Sequence, residues 1–136
     1  MYVSTEQRAF QVFYELEANF VTPYPTALRW VKHVRKCHEE ICTKRERAMG
    51  DFAITYYERR KCRIDLSRRL LRRNKTAMLE TLMHEYAHAM CMVNGRIYDR
   101  VLDLPEHPDE WALAYGRIYR YLIDEGGLAR STQRDV

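Results

Sequence analysis

The chain has 136 residues, 46% apolar and 31% charged, a length that suits one compact domain and a balance that excludes a disordered or fibrous protein. No stretch approaches the roughly 18 apolar residues that cross a bilayer, and the start, MYVSTEQRAF, has no basic segment leading into an apolar one, so the expectation is an intracellular, soluble, cytoplasmic protein with no membrane partner, a nuclear placement being left open. The net charge of +4 is unevenly spread: Arg29 to Lys75 holds sixteen Lys and Arg against six Asp and Glu, which makes the middle basic and leaves the ends acidic.

In chain order, Ser4 to Asn19 reads as an amphipathic helix. Ser4 and Gln7 fit a capping box, and Phe10, Val12, Phe13, Leu16 and Phe20 recur at helical spacing. Pro23 and Pro25 in TPYPT break it and lead into a strand at Ala27 to Val31. From Lys32 to Met49 the spacing of Val34, Cys37 and Ile41 predicts a helix. Phe52, Ile54 and Tyr56 alternate, as do Cys62, Ile64 and Leu66, with the charged turn Glu58 to Lys61 between them, which predicts a hairpin. Ser67 caps a short basic helix in SRRLLRRN. Asn74 caps the next helix, expected to run to about Val93 and stop at Asn94-Gly95. After a loop from Arg96 to Glu106, Pro108 marks the first turn of a last helix with Asp109 and Glu110 at its positive end. Trp111, Tyr115, Ile118 and Leu122 give that helix an apolar stripe until Gly126-Gly127. The core is expected over residues 4–125, with 126–136 a frayed tail.

The helix that Asn74 opens contains ETLMHEYAHAM, with His84 and His88 four positions apart and Glu85 directly after the first. On an α-helix such imidazoles lie one above the other and can converge on one zinc ion. Glu85 points beside that face and can act as general base toward a water that the ion activates. HExxH is short enough to arise by chance, so context decides. Here a capped helix with Leu82, Met83, Ala87, Ala89 and Met90 on its other faces is built for burial, and two histidines with a carboxylate on a buried helix are costly unless something ligates or pairs them. A catalytic zinc takes three protein groups and keeps one position open. His107 and Glu110, at the start of the last helix, are the candidates for the third. The longer HExxHxxGxxH pattern is absent, because Cys91 and Asn94 stand where its glycine and histidine would be.

The run KCRIDLSRRLLRRNKTAMLETLMHEYAHAM, with HPDEW beginning nineteen residues after His88, resembles the SprT-like zinc metallopeptidases, the family of Spartan-type protease domains. Ile64, Leu66 and Ser67 match an I-x-L-S phrase. Leu79, Thr81, Leu82, His84, Glu85, His88 and Ala89 match the motif phrase, His107, Glu110 and Trp111 match H-G-x-E-W, and Arg29-Trp30 resembles an upstream R-W. The likeness covers residues 8 to 122. It implies His84, His88 and His107 as ligands of one zinc ion, Glu85 as general base, Glu110 as a carboxylate that orients a ligand, and a protein or peptide substrate. The chain departs from the pattern at Pro108, which replaces a glycine, at residues 35–50, which look inserted, and in carrying no four-cysteine zinc ribbon.

The resemblance also brings in DNA-associated substrates, for which Arg59, Arg60, Lys61, Arg63, Arg68, Arg69, Arg72 and Arg73 are the candidate nucleic-acid contacts. A solubilising face is the plainer account of them. Two other readings compete with the peptidase: a non-catalytic, zinc-containing nucleic-acid-binding adaptor, and a repressor-cleaving type of peptidase with two histidines and Glu110 as ligands. His33, Cys37, His38 and Cys42 pair on separate helical faces and are expected to play core and surface roles rather than bind a second metal. Cys37, Cys42, Cys62 and Cys91 form no CxxC pair, which predicts reduced thiols. Arg96, Tyr98 and Tyr115 are candidate oxyanion partners. The expected architecture is an α+β, zincin-like single domain over 1–136, with a small, mainly antiparallel sheet packed against the HExxH helix, an N-terminal helix and a C-terminal helix.

Overall fold

The computed structural model describes residues 3–32, 34, 52–92 and 109–136. The first helix, α1, spans Thr5–Asn19. Ser4 Oγ accepts from the Gln7 N–H at 3.1 Å, and the Ser4 N–H donates to Gln7 Oε1 at 3.0 Å, so the capping box is complete. Ala9, Val12, Phe13 and Leu16, at i, i+3, i+4 and i+7, form its buried face.

Three strands follow: β1 (Thr26–Val31), β2 (Ala53–Glu58) and β3 (Lys61–Ser67). Their order is β1-β3-β2. β2 and β3 form the expected hairpin, with Glu58 paired to Lys61, but β1 runs parallel to β3, with Thr26 beside Cys62 and Trp30 beside Leu66. The sheet is therefore mixed, not mainly antiparallel. A hairpin fixes its own direction locally, whereas the sense of a strand that joins from a distance depends on the path of the intervening chain. On the inner face Leu28, Trp30, Ala53, Ile64 and Leu66 enter the core. Alternation puts Asp65 on the other face, where it is nonetheless 2% exposed.

Ser67 accepts from the Arg69 N–H and opens a short 3-10 turn, Arg68–Arg72. The motif helix, α2, spans Lys75–Met90, with Asn74 Oδ1 accepting from the Ala77 N–H at 2.8 Å. It ends three residues before Val93: the Cys91 N–H already closes on Ala87 O and His88 O. Asn94-Gly95 lies outside the described residues. Met78, Leu82, Met83, Tyr86, Ala87 and Ala89 are all buried, so α2 is enclosed on most of its circumference. The next helix, α3, spans Asp109–Tyr119, with Asp109 and Glu110 in its first turn, and continues into a π-helical turn at Arg120–Asp124. Pro108, the predicted first-turn proline, lies outside the described residues.

The tail is not frayed. Gly126 turns the chain at φ 82°, and a short helix, α4, runs Gly127–Ser131 against α1. A Cβ at Gly127 would meet the Tyr121 ring at 2.6 Å, so only glycine allows this approach. Arg8 donates to Ser131 Oγ at 2.8 Å and to Leu128 O at 3.1 Å, while Gln11 donates to Thr132 O and Arg134 O. Polar residues on α1, invisible to apolar periodicity, supply its partners. Among the described residues no helix is long and apolar enough to cross a membrane. His33, Cys37, His38 and Cys42 lie outside them, as does nearly all of the Lys32 to Met49 segment.

Candidate metal centre

The α2 helix holds His84 and His88 one turn apart on the side that faces α3. Their Nε2 atoms stand 3.2 Å from one another, and the rings meet edge-on with centroids 4.8 Å apart. Two nitrogens each about 2.1 Å from one tetrahedral ion would stand about 3.4 Å apart. The observed separation matches that bite closely, and two neutral imidazoles with convergent nitrogens are the donor set that zinc takes. The residues present fit the ion.

Glu85 projects beside this pair and is 7% exposed. Its Oε2 lies 3.9 Å from His84 Nε2, and its Oε1 accepts from the hydroxyl of Thr55 at 2.9 Å. Thr55 comes from β2, is 2% exposed and also lies within hydrogen-bond distance of the Glu85 carbonyl, at 3.0 Å. The carboxylate is thus held between the sheet and the imidazoles.

The opposite wall is Trp111 on α3. Its indole N–H donates to His84 O at 3.2 Å, and its ring packs against His84 at 5.0 Å and His88 at 5.7 Å. Tyr115 stacks on the far side of the indole, 5.1 Å away at 22°. Burial pushes the Tyr115 phenol up, helped by Glu80 and Tyr119 nearby. Of the other oxyanion candidates, Arg96 and Tyr98 lie outside the described residues.

So does His107, the third ligand implied by resemblance. Glu110, its rival, is exposed in the first turn of α3. Among the described residues, no three His, Cys, Asp or Glu side chains come together as a metal-holding group, so Glu110 does not complete a set with His84 and His88.

The basic residues fall into two groups. Arg59, Arg60 and Lys61 are exposed at the hairpin turn; Arg68, Arg69, Arg72 and Arg73 are exposed at the 3-10 turn. The seven residues of β3 separate the groups by about 20 Å. Several are engaged within the fold. Arg63 pairs with Asp65 at 2.9 Å and lies over Tyr56, Arg68 meets Glu6 at 3.4 Å, and Arg69 and Arg73 lie over the Phe52 ring. Arg29 closes on Asp65 with two bonds, of 3.1 and 3.0 Å, which raises the Arg29 pKa further.

The Arg29-Trp30 phrase thereby acquires a structural meaning. Arg29 holds the buried carboxylate of β3, and Trp30 donates from its indole to Glu6 O at 3.2 Å, tying β1 to α1. Sequence reasoning missed Thr55 and the Trp111 bond. The first had one weak signal, a polar residue on the inward face of a strand.

The model of the SprT-like family matches residues 26–126. The chain belongs to the SprT-like family. This is a family of zinc metallopeptidase-like proteins, and the match spans every strand, the motif helix and α3. No curated protein and no solved structure matches the chain. The SprT-like region runs from Thr26 to Gly126, so α1 and α4 lie beyond it, although α1 packs directly on the motif helix through Phe13 and Tyr86.

Proposed function

We propose that the protein is a zinc-dependent endopeptidase in which His84, His88 and His107 hold one ion and Glu85 is the general base. The observation that carries this reading is the 3.2 Å convergence of the two Nε2 atoms with a buried carboxylate directly beside them. A purely structural zinc site needs no such carboxylate. Bound zinc supplies the Lewis acidity that makes water nucleophilic near neutral pH and polarises a peptide carbonyl. Glu85 takes the proton of the attacking water and passes it to the departing amine nitrogen. His84 and His88 stay neutral, as ligation requires, with Trp111 limiting how far the rings can turn. We take the domain to be zincin-like, a reading supported by the HExxH helix meeting the mixed sheet through Thr55 and α3 through Trp111.

The substrate proposed is a protein or peptide, with DNA-associated proteins as the target class. The seven exposed basic residues at the two ends of β3 support a phosphate-tracking role. Arg63, paired with Asp65, has its charge answered within the fold.

Metal analysis with variants tests the centre. One zinc per chain is expected, lost in H107A and kept in E110A; the reverse result would overturn the ligand set. Zinc-loaded protein should cleave fluorescein-labelled casein, and E85Q should lower turnover by about 10²–10⁴-fold with zinc retained. Zinc without cleavage, unaltered by E85Q, would favour the adaptor. For the nucleic-acid part, neutralising Arg68, Arg69, Arg72 and Arg73 should flatten the salt dependence of DNA binding by roughly 0.7–0.9 per lost phosphate contact. An unchanged slope removes that turn from the interface.

A further inference from the structure

We infer that Thr55 is a positioning residue for Glu85, one hydroxyl on the sheet that fixes which way the base points. The inference rests on the peptidase reading for its kinetic consequence but on geometry for its content. Thr55 stands in mid-β2, opposite Ile64, on the inner face of the hairpin. Apart from Thr26 at the start of β1, beside Cys62, its described neighbours on that face of the sheet are apolar or a cysteine: Leu28, Trp30, Ala53, Cys62, Ile64 and Leu66. A hydroxyl in such company must find a partner on the element packed above it, because an unpaired one costs free energy. What it meets is Glu85, through both Oε1 at 2.9 Å and the backbone carbonyl at 3.0 Å.

A hydroxyl has one proton, so the two acceptors compete for it. The carboxylate is the stronger acceptor because it is charged, and within an α-helix the carbonyl of residue i is already served by the N–H of residue i+4. The bond to Oε1 is therefore the one that orients. It leaves Oε2 on the side of the imidazoles, 3.9 Å from His84 Nε2, where a proton from water must be received. Glutamate has three rotatable side-chain bonds, and a general base loses efficiency when its oxygen wanders from the line of proton transfer. The helix backbone restricts the first of these bonds, and the hydroxyl on the sheet restrains the carboxylate at their far end.

The role belongs to β2 and not to the metal ligands, which makes it separable from metal binding. Thr55→Val keeps shape and removes the hydroxyl, Thr55→Ala removes bulk as well and admits water, and Thr55→Ser restores the hydroxyl alone. In zinc-loaded protein assayed on labelled casein, T55V should lose about 10- to 100-fold in kcat with KM and zinc content unchanged, and T55S should recover most of it. Crystal structures of T55V and T55S should show the Glu85 carboxylate swung away in the first and in place in the second. T55A serves the same comparison if T55V does not fold. An unmoved carboxylate in the variant lacking the hydroxyl overturns the inference, and so does a swung carboxylate with kcat intact. If wild type cleaves no better than E85Q, the peptidase reading fails, and the crystal structures alone decide the positioning.

Discussion

Trp111 is the residue through which α3 acts on the site. Its indole N–H takes the His84 carbonyl, and its face packs on both imidazoles, so backbone and ring of His84 are held by one side chain. Replacing it with phenylalanine retains an aromatic face but leaves the carbonyl without the indole, a loss worth about 1 kcal/mol of stability. It also frees ligand orientation, and partners of that kind typically contribute about 10-fold or more to metal affinity. W111F should therefore bind zinc about 10-fold more weakly in competition with a chromogenic chelator, while folding at room temperature. Equal affinity would show that the indole only fills space. The residues of the site divide by how they could be known in advance. His84, Glu85 and His88 were legible because one helical period fixes their relations. Thr55 was not, since its link to Glu85 crosses thirty positions of sequence and exists only after β2 docks on the helix.

Among the elements, the β2–β3 hairpin carries an unusual turn. Arg59 and Arg60 have φ of 52° and 62°, both in the left-handed region, between the paired Glu58 and Lys61. A two-residue turn with both central φ positive matches the twist of the flanking strands, which is why the hairpin closes this way, but asparagine and glycine fit it far better than arginine. Each left-handed side chain costs roughly 1 kcal/mol. The double variant R59N/R60G should raise unfolding free energy by about 1 kcal/mol after the entropic penalty of glycine, seen as a higher urea midpoint with the same m-value. A lower midpoint would mean that the arginines make contacts worth more than the strain. Alternation in Phe52–Tyr56 and Cys62–Leu66 was enough to predict the hairpin, because period two is a local property. The parallel seat of β1 on β3 had no local signature, which is why the sheet was expected to be mainly antiparallel and is mixed.

At the scale of the molecule, Glu15 joins the two ends of the chain. It is 3% exposed on α1 and accepts from Tyr121 of the π-helical turn, from Arg134 of the tail at 3.0 Å and from Asn19 at 3.0 Å. Burial alone would push this carboxyl up; the hydrogen bonds from Tyr121, Arg134 and Asn19, with the charge of Arg134, outweigh it and hold the pKa below its ordinary value of 4.5. A carboxyl depressed by folding contributes stability that is fully present above its unfolded pKa and is lost as pH falls through the folded one. The expected window is thus acidic, at and below about 4.5. Melting curves of wild type and E15Q should differ most at neutral pH, with wild type the more stable, and converge as the buffer is taken down toward about pH 3. Arg134→Ala should narrow the gap from the other side, because it removes the charge that helps to depress Glu15. A separation between wild type and E15Q that stays constant with pH would mean that the carboxylate is not charged where it sits. The consequence reaches the metal centre, since α1 is the helix that Tyr86 grips through Phe13 and through its hydroxyl on Phe20 O at 2.8 Å. Loosening α1 removes support from the back of the helix that presents His84 and His88, so at neutral pH, where the Glu15 carboxylate is charged, a chelator should strip zinc less readily from wild type than from E15Q, and the difference should close as the pH falls below about 4.5.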